Sequence, residues 1–219
     1  MSAIFVTGAG TEVGKTLTAC ALIARLRARG AAIDAYKPVL SGYDPAAPQT
    51  SDAGRLLAAL GRPVTAQALD EIAPLRFLAP LSPPDAARRE GAALPLADLA
   101  ANCRARIAGA KGLLLIEGAG GVMSPIADDG LNLDLMAQLG LPVLLAPANY
   151  LGAISHVLTA LTALGTRGLS VVAVVLHDLA PDGPDIADTV AALRLYAPGV
   201  AILAGDGWAD VLADAVAGG

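Results

Sequence analysis

Six short aliphatic runs punctuate this chain: Ala3 to Thr7, Ala32 to Val39, Gly112 to Ile116, Leu141 to Ala146, Leu169 to Leu176 and Val200 to Leu203. Such runs are read as strands buried on both faces, the condition of a parallel sheet. Helical patterns fill the intervals. From Lys15 to Arg29, Leu17, Cys20, Ala21 and Ala24 share one face and Gly30 follows as a stop. From Ser155 to Leu164, Val157, Leu158, Leu161 and Leu164 lie on one side, with Gly165 after them. The alternation predicts an α/β fold, a doubly wound and mainly parallel sheet with helices on both faces. A length of 219 residues suits one domain over residues 1–219. The proline-rich stretch Ala73 to Pro84 reads as an ordered loop or a set of turns.

Composition narrows the class of partner. Hydrophobic residues make up 55 % and aromatics 3 %, so the interior is built from small aliphatic side chains and disorder is not expected. A net charge of -5 lacks the attraction on which non-specific nucleic-acid binding depends. Cys20 and Cys103 are in no CxxC or metal spacing, which fits a reduced, cytoplasmic protein. The N-terminal residues lack the pattern of a signal peptide. The longest apolar region, Leu141 to Leu164, is broken by Pro142, Pro147, Asn149, Gly152 and His156 and is not expected to span a membrane.

Open α/β sheets bind ligands beyond the carboxyl ends of their strands, and the unusual residues of this chain fall there. After the first run comes Gly8-Ala9-Gly10-Thr11-Glu12-Val13-Gly14-Lys15-Thr16, a glycine loop that opens a helix. Its backbone N–H groups and helix N-terminus suit phosphates, Lys15 can reach the β and γ phosphates, and the Thr16 hydroxyl can ligate Mg²⁺. Five residues separate Gly8 from Gly14 where the usual phosphate loop has four. Tyr36-Lys37-Pro38-Val39-Leu40-Ser41-Gly42 follows the second run and Glu117-Gly118-Ala119-Gly120-Gly121 the third. Glu117 ends a row of four aliphatic residues, where a carboxylate needs solvent, a cation or a polar site. Asp52 reads as the N-cap of a helix over Ala53 to Leu60. Asn149 to Ser155 runs into a helix, with Ser155 as the expected cap and free N–H groups suited to a carboxylate.

Together these motifs resemble the dethiobiotin synthetase family, whose signature joins a five-spaced phosphate loop, Lys-Pro-Val-x-Ser-Gly and Glu-Gly-Ala-Gly-Gly. The likeness continues through Ser51-Asp52-Ala53, Leu81-Ser82-Pro83 and Leu151-Gly152-Ala153-Ile154, covering about residues 3 to 178. It implies a P-loop NTPase-type, Mg²⁺-requiring ligase in which ATP, 7,8-diaminononanoate and CO₂ or bicarbonate yield dethiobiotin, ADP and phosphate. The resemblance assigns Lys15 and Lys37 to catalysis and Thr16, Asp52 and Glu117 to the metal. It assigns the nucleotide to Glu12, Val13, Gly14, Lys15, Thr16, Leu17, Asp52, Glu117, Gly118, Ala119, Gly120, His177, Asp178 and Gly207. Thr11, Lys37, Ser41, Leu151, Gly152 and Ser155 would meet the diamine, in a site completed across a homodimer. No activated Ser, Cys or His arrangement points to a covalent intermediate.

The pattern departs from the family at His177-Asp178, where Asn-Asp commonly reads adenine. An imidazole cannot copy the paired donor and acceptor of an amide, so looser base discrimination is expected. Ala204-Gly205-Asp206-Gly207-Trp208 replaces Gly-Glu-Ile-Pro, with Trp208 read either as a stacking group or as core closure. A related amidotransferase synthetase would need an ammonia source for which the chain has no room. The alternative from another class is a nucleotide-switch ATPase of the partitioning or septum-positioning type. Those carry an extra early lysine and often a basic or amphipathic tail, whereas this loop starts Ala9-Gly10-Thr11-Glu12 and the tail from Ala209 to Gly219 is acidic.

Overall fold

The computed structural model describes residues 2–180 and 182–217; the end of the acidic tail, Gly218 and Gly219, and two further residues of the expected 1–219 span lie outside them. In chain order come β1 (Ala3–Gly8), α1 (Lys15–Ala28), β2 (Ile33–Tyr36), β3 (Val39–Ser41), α2 (Asp52–Ala59), α3 (Ala66–Ile72), β4 (Leu75–Phe77), α4 (Pro83–Arg89) and α5 (Leu96–Ala108). The second half has β5 (Leu113–Gly121), β6 (Pro125–Ala127), β7 (Gly130–Leu131), α6 (Asn132–Leu139), β8 (Val143–Leu145), α7 (Ala153–Thr166), β9 (Val171–Leu176), α8 (Ile186–Tyr196), β10 (Ile202–Ala204) and α9 (Trp208–Ala217).

Six strands form one parallel sheet in the order β10-β9-β8-β1-β5-β2. Alternate residues of each strand feed opposite layers, the consequence of a period of two. Ile4, Val6, Leu115, Leu144 and Val175 join Leu22, Ile23 and Leu26 of α1 on one face. Phe5, Leu114, Ile116, Val143, Leu145 and Val174 meet Leu99 of α5, Leu135 of α6 and Val157 of α7 on the other. The doubly wound sheet with helices on both faces is thus the observed fold. Successive strands leave β1 in both directions, β2 to one side of β5 and β8 to the other flank, so the loop after β1 lies where the winding reverses. A crevice opens at such a switch point.

Several local expectations are corrected. The run Ala32 to Val39 is not one strand: Pro38 lacks an N–H and disfavours continuation. β2 stops at Tyr36, and β3 pairs with β4 in a separate two-stranded sheet. The proline-rich stretch supplies β4, and α4 starts on Pro83 and Pro84, since proline suits a first helical turn. β5 runs past Ile116 through Gly121. α2 is capped by Ser51, whose Oγ accepts from the Gly54 N–H, so Asp52 is the first helical residue. α7 is preceded by Gly152 in a left-handed conformation (φ 99°), with Ser155 already inside the helix, and it continues through Gly165 to Thr166.

The buried face of α1 is Lys15, Thr18, Ala19, Leu22, Ile23 and Leu26. Of the expected face, Leu17 is 49 % exposed, Ala24 is exposed, and Cys20 and Ala21 are only half-buried. The larger aliphatic side chains take the sheet because they remove more apolar area from water. On α7 the expected face holds, with Val157 and Leu164 buried and Leu158 and Leu161 packed at the core margin. Leu22→Ala is expected to cost about 2–5 kcal/mol of stability and Leu17→Ala under about 0.5, read by urea unfolding. Equal costs would contradict this orientation of α1.

Candidate active site

The loop between β1 and α1 closes on itself. Lys15 is buried, and its Nζ donates to the Gly10 carbonyl at 3.0 Å. Burial, with the nearby Lys37 charge adding to it, lowers the Lys15 pKa to about 8. Gly14 precedes α1 at φ 110°, where a Cβ would run into the His177 ring; only glycine passes there. No side chain caps α1. Its first-turn N–H groups therefore remain available to an anion at the positive end of the helix.

Beside the loop lies a buried charge cluster. Parallel pairing sets Tyr36 against Ile116 and Val6 against Glu117, so the residue after β2 and the end of the β5 aliphatic row meet. Lys37 is 2 % exposed; its Nζ lies 2.6 Å from Glu117 Oε1, 2.8 Å from Asp52 Oδ2 and 3.2 Å from Gly118 O. Three ammonium protons thus face three acceptors. Burial acts against the Lys37 charge, but Glu117 and Asp52 outweigh it and raise its pKa above the ordinary lysine value. For Asp52, burial pushes upward and Lys37 outweighs it, leaving the carboxyl below its usual range.

Thr16 Oγ1 is 2.8 Å from both Asp52 Oδ1 and Glu117 Oε1. A hydroxyl has one proton and an ionised carboxylate none, so one of these oxygen pairs is left without a hydrogen. Glu117 Oε2 is also buried with no partner. Oxygen donors from Thr16, Asp52 and Glu117, with one carboxylate oxygen left unpartnered, fit a hard cation such as Mg²⁺.

A cleft of about 650 Å³ brings together Thr11, Glu12, Val13, Gly14, Lys15, Thr16, Leu17, Lys37, Ser41, Asp52, Ala119 and Gly120. Glu117 and Gly118 join through their contacts with Lys37. Leu40, Gly42 and Ser51, from the quoted motifs but without an assigned role, also line it, as do Thr50, Arg55 and Leu179, which no motif includes. Arg55 was legible in principle, one helical turn from Asp52 on α2; Leu179 carries no such signal. Leu151, Gly152 and Ser155 do not line this cleft. Gly152 and Ser155 border a separate groove of about 840 Å³ with Met123, Ile154, Leu158 and Tyr196, beside a Leu151 that is 93 % exposed.

His177 does not line the cleft. Its ring is buried behind Gly14, with Nε2 2.5 Å from Thr18 Oγ1, and meets Trp208 edge-on at 5.6 Å between centroids. Asp178 is exposed, with Oδ1 accepting from Asn149 Nδ2 at 3.4 Å, and Gly207 sits at φ 82° just before Trp208. Trp208 is half-buried and packs against the α1 layer, closing that edge of the core.

Burial lowers the His177 pKa from 6.5 to about 4. Between those values the unfolded chain binds a proton that the folded chain does not, so this contribution to stability is complete above pH 6.5 and falls as pH drops toward 4. The loss is on the order of 3 kcal/mol. Urea unfolding at pH 7 and pH 4.5 should show a smaller drop for His177→Gln than for the unaltered chain; identical drops would refute it.

A family model described as "AAA domain" matches residues 2–205. The ATP-dependent dethiobiotin synthetase BioD of Phenylobacterium zucineum (strain HLK1) is 53 % identical over 224 residues, covering 99 % of this chain and 96 % of that protein. The enzyme of the same name from Caulobacter vibrioides (strain NA1000 / CB15N) is 52 % identical over 197 residues, covering 90 % and 88 %. Among solved structures, hydrogenase maturation factor HypB from Archaeoglobus fulgidus superposes with a TM-score of 0.58 over 99 % of this chain and 88 % of that one. At 16 % identity this is a likeness of fold alone. Identity above one half across nearly the full length of both chains makes this protein a member of the ATP-dependent dethiobiotin synthetase family.

Proposed function

We propose that this chain is a single-domain ligase that closes the ureido ring of dethiobiotin from 7,8-diaminononanoate, CO₂ and ATP. The observation that carries the reading is the Lys37 ammonium held between Glu117 and Asp52 at the lip of the phosphate loop. One amine and CO₂ form a carbamate. Its oxygen attacks the γ-phosphorus, releasing ADP, and the second amine then displaces phosphate from the carbamic-phosphoric anhydride as it loses its proton.

The chain's own part is positioning and charge stabilisation. The α1 N-terminus and Lys15 receive the β and γ phosphates, with Glu12 to Leu17 wrapping the chain of phosphates. Thr16, Asp52 and Glu117 would hold Mg²⁺, which supplies further charge neutralisation on the phosphates. Lys37, which lines the cleft, stabilises with its charge the carbamate and the phosphoryl group in transit. Thr11 and Ser41 orient the diamine, and Gly118, Ala119 and Gly120 present backbone to the γ-phosphoryl group. Asp178 and Gly207 flank the base, while His177 supports Gly14 from behind.

Leu151, Gly152 and Ser155 are assigned to the carboxylate tail of a diamine bound by a second copy of the chain. The apolar lining of their groove, Ile154, Leu158, Met123 and Tyr196, supports a homodimer. Cys20 and Cys103, both free thiols, suit a reduced cytoplasmic setting. Among the described residues no helix is long and apolar enough to cross a membrane.

The reading is tested by ADP release from Mg-ATP and bicarbonate with and without 7,8-diaminononanoate. Release should depend on the diamine, and Lys37→Gln should lower kcat by on the order of 10²–10³. Diamine-independent hydrolysis, or near-normal turnover in the variant, would refute it. For the dimer, Leu158→Glu should shift sedimentation to the monomer and raise the KM for the diamine; a monomer of unchanged KM argues against the shared site.

A further inference from the structure

Asn132 opens α6, is fully buried and reaches the glycine-rich end of β5. Its Nδ2 lies 2.5 Å from Ala119 O, 2.9 Å from Gly121 O and 3.4 Å from Ser124 O, while its Oδ1 is buried without a partner. An unpartnered buried amide oxygen is unfavourable. A leucine would fill a similar volume without that cost, so the value of the amide lies in what Nδ2 holds.

What it holds is the backbone beside the cleft. Gly118 O accepts from Lys37, and Ala119 O and Gly121 O accept from Asn132. In a planar trans peptide the N–H points opposite to the C=O. The grip on Ala119 O therefore fixes this peptide plane with the Gly120 N–H directed away from Asn132, and Ala119 and Gly120 both line the cleft. Gly121 N donates to Ser124 Oγ at 2.8 Å, which holds the next peptide plane. The approach is too close for side chains: a Cβ on Gly118 would lie 2.6 Å from Asn132 Oδ1, and one on Gly120 2.5 Å from Ser124 Oγ.

We propose that Asn132 is a positioning residue for phosphoryl transfer, fixing the Gly120 amide toward the γ-phosphoryl group through its grip on Ala119 O and Gly121 O. This rests on the phosphoryl-transfer reading above, and predicts a defect specific to the γ-phosphate. Asn132→Leu should bind Mg-ADP as the unaltered chain does. It should bind a non-hydrolysable Mg-ATP analogue roughly tenfold more weakly and lose kcat on the order of 10–100-fold, the scale of a catalytic group displaced by about 1 Å. A purely structural role would weaken both nucleotides together or lower only the melting temperature.

If Asn132→Leu fails to fold, Asn132→Ala, which removes the Nδ2 donor without adding bulk, decides the matter by the same ADP-against-analogue comparison. Equal affinity changes for the two nucleotides, or a kcat within about twofold of the unaltered chain, would overturn the proposal. Failure of the unaltered chain to release ADP with the diamine would remove the ligase reading instead, leaving the two-nucleotide comparison to judge Asn132 separately.

Discussion

Lys37 is an ammonium taken almost wholly out of water and placed within contact distance of two carboxylates. Desolvation of a charge is expensive, and such a group is tolerated only when its partners are close and its hydrogen bonds are complete. Here all three acceptors are present, from β5, α2 and the backbone after Glu117. The cluster therefore ties together the ends of separate elements: α1 through Thr16, α2 through Asp52, the end of β2 through Lys37 and β5 through Glu117. It also leaves the region polar and buried, with Glu117 Oε2 still unpartnered beside the phosphate loop.

The sheet makes that cluster possible. β1 and β2 flank β5, and their registers bring Val6 and Tyr36 alongside Glu117 and Ile116. Because β1 is also where the winding reverses, its loop opens into the crevice instead of being covered by a crossover helix. Supports outside the cleft then shape it. His177, itself met edge-on by Trp208, backs Gly14 of the loop, and Asn132 grips the glycine-rich end of β5 from α6.

Motifs whose chemistry is local were readable from the chain. Gly8 to Thr16 announces a phosphate loop because strand, glycines, lysine and helix start are contiguous. Lys37, Ser41 and Glu117 follow predicted strands, so the rule for strand ends gathers them without coordinates, whereas Asp52 reads locally as a helix cap and joins them only through the family resemblance. Where the reading slipped, two local signals competed. Ser51 and Asp52 are both good caps, and the choice turned on which oxygen reaches the Gly54 N–H. On α1, Leu17, Cys20, Ala21 and Ala24 form one apolar stripe and Leu22, Ile23 and Leu26 another, and the sheet beneath decides that the second is buried. Pro38 signalled a break, but the strand beyond it needed a partner, β4, that lay in a stretch read as loop.

The order of residues alone determined the alternation of strand and helix, the phosphate loop and the set of charged groups at the strand ends, since each depends on neighbours a few positions away. Only the tertiary structure decided which groups are buried and paired. It made Lys37 a fully satisfied ammonium, put His177 behind Gly14 and sent Asn132 to the carbonyls of Ala119 and Gly121. Those outcomes depend on contacts between residues far apart in sequence, and burial, hydrogen-bond partners and charge all follow from such contacts.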